Sequence, residues 1–263
     1  MKLPQLTLLA LLLPSFVLAK NWSASDSSSA PGKYVGQIIV FFKDGRLGGG
    51  SGTLIGKSHV LTAGHVIIDK DKKYAGRPAS EWKPVTMMFT PGQKGTSAPF
   101  GSANATIWAV SNGLLDGTSI SRDYGVMKLN RDLGSKGKTY KTAGGYLPLM
   151  KWTTDWSYYV TIYGYPAASN SSQKQLSDDA FNESSWTIWD WDGVWRDWHR
   201  FQTKGFHQAI GGTSGGPAIY NRAFVIGVSG QPRGSGIAGF RAGGMRISDI
   251  VYNEILAWVG ARP

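Results

Sequence analysis

The sequence contains no cysteine in its 263 residues. A disulfide scaffold, a thiolate zinc site, an iron–sulfur centre and a cysteine nucleophile are thereby excluded. Charge is sparse and one-sided: charged residues make up 17% of the chain, and 28 basic residues against 17 acidic ones give a formal net charge of +11. That imbalance favours acidic partners at the stage of encounter and carries no information about fold. Beyond residue 19 no apolar stretch is long enough to cross a bilayer. No internal repeat is visible. What is present is a 41% share of hydrophobic residues, enough to bury a core, on a length that suits one large all-β unit or two domains.

The N-terminus reads as a targeting segment. Lys2 precedes an apolar run from Leu3 to Leu18, interrupted at Pro4, Gln5, Thr7, Pro14 and Ser15, and Val17-Leu18-Ala19 supplies the small or aliphatic residues of a cleavage site. Residues 1–19 are therefore expected to be a secretory signal and the mature chain to be secreted and extracellular, with no membrane insertion. Residues 20–33 are Ser-rich and aperiodic, as in a flexible leader or short propeptide.

From Tyr34 the chain changes character. Short β-branched and aromatic runs recur at Tyr34–Phe42, Gly52–Ile55, His59–Ala63, Val85–Phe89, Thr106–Val110, Gly125–Leu129, Trp156–Tyr163, Pro217–Tyr220 and Phe224–Val228, punctuated by Gly, Pro, Asn, Asp and Ser. Many short strands at this spacing indicate an all-β barrel or sandwich. The Lys- and Gly-rich stretch Arg131–Leu147 is a candidate linker, dividing the chain into β halves at 34–140 and 141–246. In 247–263 the pattern differs: Ile247, Ile250, Val251, Ile255, Trp258 and Val259 recur at three- and four-residue spacing, with Ser248 as N-cap and Gly260 as stop. This predicts a C-terminal α-helix.

Three places carry chemistry. In Thr62-Ala63-Gly64-His65 a strand ends in small residues and delivers one imidazole, the side chain best suited to move a proton near neutral pH. In Arg122-Asp123-Tyr124-Gly125 a carboxylate stands at the mouth of a strand. In Gly211-Gly212-Thr213-Ser214-Gly215-Gly216-Pro217 the glycines admit a tight turn that leaves a hydroxyl proud and backbone N–H groups free to converge on an oxyanion. Taken singly, each has an ordinary structural reading as a packed histidine, a capping aspartate or a hairpin. Their joint order at strand-to-loop junctions matches the logic of a base, an orienting acid and a nucleophile drawn from separate parts of a chain.

TAGH around His65, DYGVMKL from Asp123 and GTSGGP around Ser214 resemble the three signatures of the chymotrypsin-fold, trypsin-like serine proteases. Gly164-Tyr165-Pro166, the SGTLIG strand before the histidine and the absence of cysteine resemble the glutamyl endopeptidase-like microbial branch, which lacks disulfides. The resemblance implies two six-stranded antiparallel β-barrels with a C-terminal helix, and peptide-bond hydrolysis in the cleft between them without a cofactor or metal. Ser214 would be the nucleophile, His65 the general base and Asp123 its orienting partner, with the backbone N–H groups of Gly212 and Ser214 as oxyanion donors. Ser229 falls where the family keeps a serine that hydrogen-bonds the triad aspartate and lines the substrate pocket. Gln208 stands where trypsin-like enzymes are acidic, which argues against strict cleavage after Arg or Lys. Many relatives bracket the catalytic histidine with a cysteine pair, and here Gly50 or a neighbour and Val66 hold those places.

Departures from the family pattern are also legible. Thr213 replaces the aspartate that pairs with a freed N-terminal amine in animal proteases, so that activation route is closed. The histidine that Glu-specific members carry near Ser229 is missing, while Arg233 and Arg241 could attract an acidic side chain or lie on a solvated surface. Residues 185–199 hold five tryptophans and read either as a packed aromatic hairpin or as a substrate-contacting flap. His199 and His207, with no paired acidic cluster, read as structural or surface residues.

The expected partner is a protein or peptide substrate. The lysines do not interleave with aromatics in a nucleic-acid pattern, and a monomer is expected. Asn21, Asn104, Asn170 and Asn182 begin N-x-S/T sequons, sites for N-glycans in a eukaryotic source. The rival reading is a catalytically silent relative that binds through the cleft and the Trp-rich segment. An esterase would need a G-x-S-x-G elbow with a following helix and a histidine last in the order; here the serine turn is followed by the β-like run Pro217–Tyr220, and His65 comes first.

Overall fold

The structure, a computed structural model, describes residues 23–119, 122–136, 138–153, 157–167, 172–182, 200–203, 210–230 and 243–260. After a short strand β1 (Ser23–Ala24), six strands build the first half: β2 (Val35–Phe42), β3 (Leu47–Leu54), β4 (His59–Thr62), β5 (Pro84–Pro91), β6 (Ala103–Val110) and β7 (Gly125–Leu129). They close into an antiparallel barrel in the order β2-β3-β4-β7-β6-β5. Alternation explains the closure. Val35, Ile38, Val40 and Phe42 of β2 point inward, where they meet Leu54, Val60, Leu61, Phe89 and Met127 from the other strands. Each such side chain contributes about 1.5–3 kcal/mol relative to exposure.

The second half contains β8 (Tyr158–Gly164), β9 (Lys174–Asn182), β10 (Arg200–Thr203), β11 (Pro217–Tyr220), β12 (Phe224–Ser229) and β13 (Gly243–Arg246). These strands run in the order β9-β10-β13-β12-β11-β8, and pairing of β8 with β9 closes the ring. Its own small core stacks Trp152 on Phe201 at 5.8 Å between ring centroids, with Val160, Ile162, Ala218 and Ile226 around them. The fold is thus two six-stranded antiparallel barrels, as the resemblance implies. The larger core does not stop at the first barrel. It continues through Tyr163, Tyr165, Ile219, Val228 and Met245 of the second and into the terminal helix, so the barrels share one packed seam.

That helix, α5 (Asp249–Val259), begins where Ser248 accepts a hydrogen bond from the Val251 N–H and ends at Gly260, whose φ of +69° is left-handed. Both boundaries match the sequence expectation.

Two segments that lack strand or helix periodicity are nonetheless packed. From residue 23 the 20–33 leader is tied down: β1 pairs with β9 at Gln175 and Lys174 on the edge opposite β8. Gln173 Nε2 donates to the Gly32 carbonyl at 2.9 Å, and Ser25 Oγ donates to Gln173 Oε1 at 2.6 Å. The serine content that reads as low complexity forms a turn in which Ser28 and Ser29 hydroxyls both donate to Asp26. The 131–147 linker also packs, burying Leu133, Ala143 and Leu147 against the first barrel. Residues 1–22, which include the expected signal segment, and the Trp-rich stretch lie outside the described residues.

Candidate active site

His65 is delivered by the end of β4. Ala63 is extended and Gly64 opens a single helical turn, α1 (Gly64–Ile67), where a Cβ on Gly64 would sit 2.3 Å from Leu114. The turn tips the imidazole off the barrel rim and leaves it 12% exposed.

Asp123 meets it from the entrance of β7. The Tyr124 N–H donates to the Arg122 carbonyl at 3.1 Å, a three-residue turn with Asp123 at its apex. Asp123 Oδ1 accepts the His65 backbone N–H at 2.8 Å, and Oδ2 lies 2.5 Å from His65 Nδ1. Burial pushes the Asp123 carboxyl up, but the charge and two hydrogen bonds of His65 outweigh it and hold the group below its ordinary value. With Nδ1 engaged by the carboxylate, only Nε2 is left to exchange a proton with a third group.

The serine turn lies against the same rim. Gly212 and Gly215 have φ of +93° and +85°, and a Cβ on Gly216 would stand 1.8 Å from the Tyr163 carbonyl. Only glycine suits these places. The Thr213 N–H and hydroxyl both donate to the Ile210 carbonyl, at 3.3 and 2.8 Å. Among the described residues the N–H groups of Gly212 and Ser214 make no hydrogen bond. Two N–H donors, one on each side of Thr213, are thereby unspent, and Ser214 itself is partly exposed; unspent backbone donors are what an oxyanion needs.

One residue whose part the sequence does not disclose holds this turn to the first barrel. The Ser51 N–H donates to the Ser214 carbonyl at 2.7 Å, and Ser51 Oγ donates to the Gly212 carbonyl and accepts from the Tyr165 N–H, both at 2.8 Å. Its own carbonyl accepts the Thr62 hydroxyl at 2.7 Å. Next to it, a Cβ built on Gly50 would lie 2.7 Å both from the Ser214 carbonyl oxygen and from Val66 Cγ2. The SGTLIG pattern marks the strand but not this clasp, which joins residues 51, 165, 212 and 214 only once both barrels exist. Ser51→Ala strands the partly buried Gly212 carbonyl and the buried Tyr165 N–H, so chemical denaturation should find the unfolding free energy lower by about 1–3 kcal/mol.

The remaining expected site residues divide. Ser229 is buried and exchanges backbone hydrogen bonds with the turn: its carbonyl accepts from Gly215 N–H and its N–H donates to Gly216, each at 2.7 Å. The bond to Asp123 that the resemblance implies is not made among the described residues, where Asp123 accepts from His65 alone. Gln208, Arg233, Arg241, His199 and His207 lie outside the described residues. Among the described residues, no group of three or more His, Asp or Glu side chains is placed to hold a metal ion.

Comparison with known proteins follows the same lines. The family model described as Trypsin matches residues 29–252. The chain is 26% identical over 223 residues to a glutamyl endopeptidase of Bacillus licheniformis, covering 81% of this chain and 60% of that protein. It is 24% identical over 214 residues to an extracellular metalloprotease of Bacillus subtilis, covering 80% and 58%. The chain thus spans about three-fifths of the length of these curated relatives. A solved structure of a Glu endopeptidase in complex with MPD superposes with a TM-score of 0.70 at 19% identity, covering 94% of this chain and 99% of that one.

Proposed function

This chain belongs to the trypsin family, and from that premise we propose that it is a serine endopeptidase that hydrolyses peptide bonds through an acyl-enzyme. Ser214 Oγ attacks the scissile carbonyl and His65 Nε2 takes its proton. The Gly212 and Ser214 N–H groups receive the oxyanion, and collapse of the tetrahedral intermediate expels the amine, which His65 protonates. Water, deprotonated by His65, then releases the acyl group from Ser214. Asp123 fixes the Nδ1–H tautomer and stabilises the imidazolium. The observation that carries this reading is the 2.5 Å pairing of His65 Nδ1 with Asp123 beside a serine turn with two unspent N–H donors.

Export fits the reading: residues 1–19 serve as a secretory signal, and among the described residues no helix is long and apolar enough to cross a membrane. The substrates are proteins or peptides met outside the cell. With Gln208 where trypsin-like enzymes are acidic, strict cleavage after Arg or Lys is not expected.

The test is labelling of the secreted protein with a fluorophosphonate probe, alongside cleavage of a mixed peptide library. Covalent label is expected on Ser214. No labelling and no cleavage by the mature wild type would sink the enzyme reading in favour of a protein that binds through the cleft. Cleavage confined to bonds after Lys and Arg would overturn the reading of Gln208.

A further inference from the structure

The carboxylate opposite His65 is held from behind by the terminal helix. Arg122 and Tyr124, the two covalent neighbours of Asp123, both reach one side chain on α5. Arg122 Nη2 donates to Glu254 Oε2 at 2.8 Å, and the Tyr124 hydroxyl donates to the same oxygen. Tyr124 is fully buried, and its ring lies 5.7 Å from that of Trp258, one helical turn beyond Glu254. Burial and the adjacent Glu254 push the Tyr124 phenol well up, so it stays a donor at any working pH. On the other side Ser111 grips the backbone, its N–H donating to the Tyr124 carbonyl at 3.1 Å and its hydroxyl to the Arg122 carbonyl.

This arrangement has a direction. The turn centred on Asp123 presents its middle side chain to His65 and its two outer side chains to the helix. Ser111 fixes the position of the main chain, but a three-residue turn can still rock about the line joining its ends. The Glu254 carboxylate, bound at both outer residues, opposes that rocking. A carboxylate that misses Nδ1 by a fraction of an ångström loses the tautomer and the charge stabilisation together, and misplacement by about 1 Å costs on the order of a hundredfold in rate.

We infer that Glu254 is a positioning residue for the Asp123–His65 pair, so that the terminal helix sets the alignment of the charge-bearing couple through Arg122 and Tyr124. The inference rests on the proposed peptidase reading. It is therefore tested both by turnover and by a signal that needs no turnover, the low-field NMR resonance of the proton between His65 Nδ1 and Asp123.

Glu254→Ala is expected to lower kcat about 10- to 100-fold with KM within about twofold, and to broaden or erase that resonance. Glu254→Gln keeps an oxygen for the Tyr124 hydroxyl and should recover most of both. Ile247→Ala, just before the same helix, fully buried and hydrogen-bonded through its backbone to Ile226 and Trp152, destabilises the fold while keeping the Arg122, Tyr124 and Glu254 side chains, and should leave kcat and the resonance in place. Should Glu254→Ala fail to fold, Tyr124→Phe reads the same link by deleting one hydroxyl, with a loss of kcat of about tenfold expected and the resonance shifted. Unchanged kcat and resonance in Glu254→Ala or Tyr124→Phe, or equal losses in Ile247→Ala, would overturn the inference. A wild type with a sharp resonance and no turnover would instead count against the peptidase reading alone.

Discussion

Ser214→Ala is expected to lower kcat by about a million-fold, and the double variant Ser214→Ala/His65→Ala to lower it hardly further. The reason lies in how the residues depend on one another. Without the hydroxyl the imidazole has no proton to accept in the first step, and without the imidazole the hydroxyl remains a poor nucleophile. The two losses therefore overlap instead of multiplying. What survives is catalysis by the Gly212 and Ser214 N–H groups and by substrate positioning, about a thousandfold or more over water. Alanine keeps those donors in place, because among the described residues the hydrogen bond that anchors Ser214 runs through its backbone, the carbonyl accepting from Ser51 at 2.7 Å, and the next residue is held by its own N–H, which donates to Ser229 at 2.7 Å. Progress curves on a fluorogenic peptide, with thermal melts run in parallel, make the check. Additive losses, or a melting point that collapses in Ser214→Ala, would mean that the serine supports the fold instead of the reaction.

Asp123→Asn should cost about ten-thousand-fold in kcat with the backbone unmoved. Here the size of the effect follows from which oxygen faces which donor. Asp123 offers one oxygen to the His65 backbone N–H at 2.8 Å and the other to Nδ1 at 2.5 Å. Asparagine has a single carbonyl oxygen. The backbone N–H can only donate and so claims it, which turns the amide NH2 toward Nδ1. Nδ1 must then accept, its proton moves to Nε2, and the nitrogen that should receive the serine proton is already protonated. A kcat within tenfold of wild type would show that the imidazole tautomer is set elsewhere.

Much of this was readable from residues alone. Strands with alternating inward side chains, such as β2, and the capped helix α5 carry their periodicity locally. The three motifs each sit on a short contiguous stretch with its own turn chemistry. Besides the short β1 in the leader, the strands that escape sequence reading are β9, β10 and β13, whose segments KQLSDDAFN, RFQT and GGMR lack the apolar alternation of their neighbours. They are strands because the ring of the second barrel offers them partners on both edges, a property of the assembled sheet. The N-terminal half of β3, Leu47 to Gly50, was hidden by its glycines for a related reason: a Cβ on Gly49 would meet the Ile38 carbonyl of the paired strand, and one on Gly50 the Ser214 carbonyl of the other barrel. Ser51, Gln173 and Glu254 belong to the same class. Each joins groups from distant parts of the chain, such as the 132 residues between Glu254 and Arg122, and nothing in the adjacent sequence announces the partner.

The contact of Gly50 with Val66 has a bearing on redox surroundings. A first added side-chain carbon at residue 50 would stand 2.7 Å both from the Ser214 carbonyl oxygen and from Val66 Cγ2. A side chain introduced here would therefore press on the main chain of the serine turn. With no cysteine anywhere in the chain, this joint is set by packing and hydrogen bonds alone, and it should hold equally in oxidising and reducing surroundings.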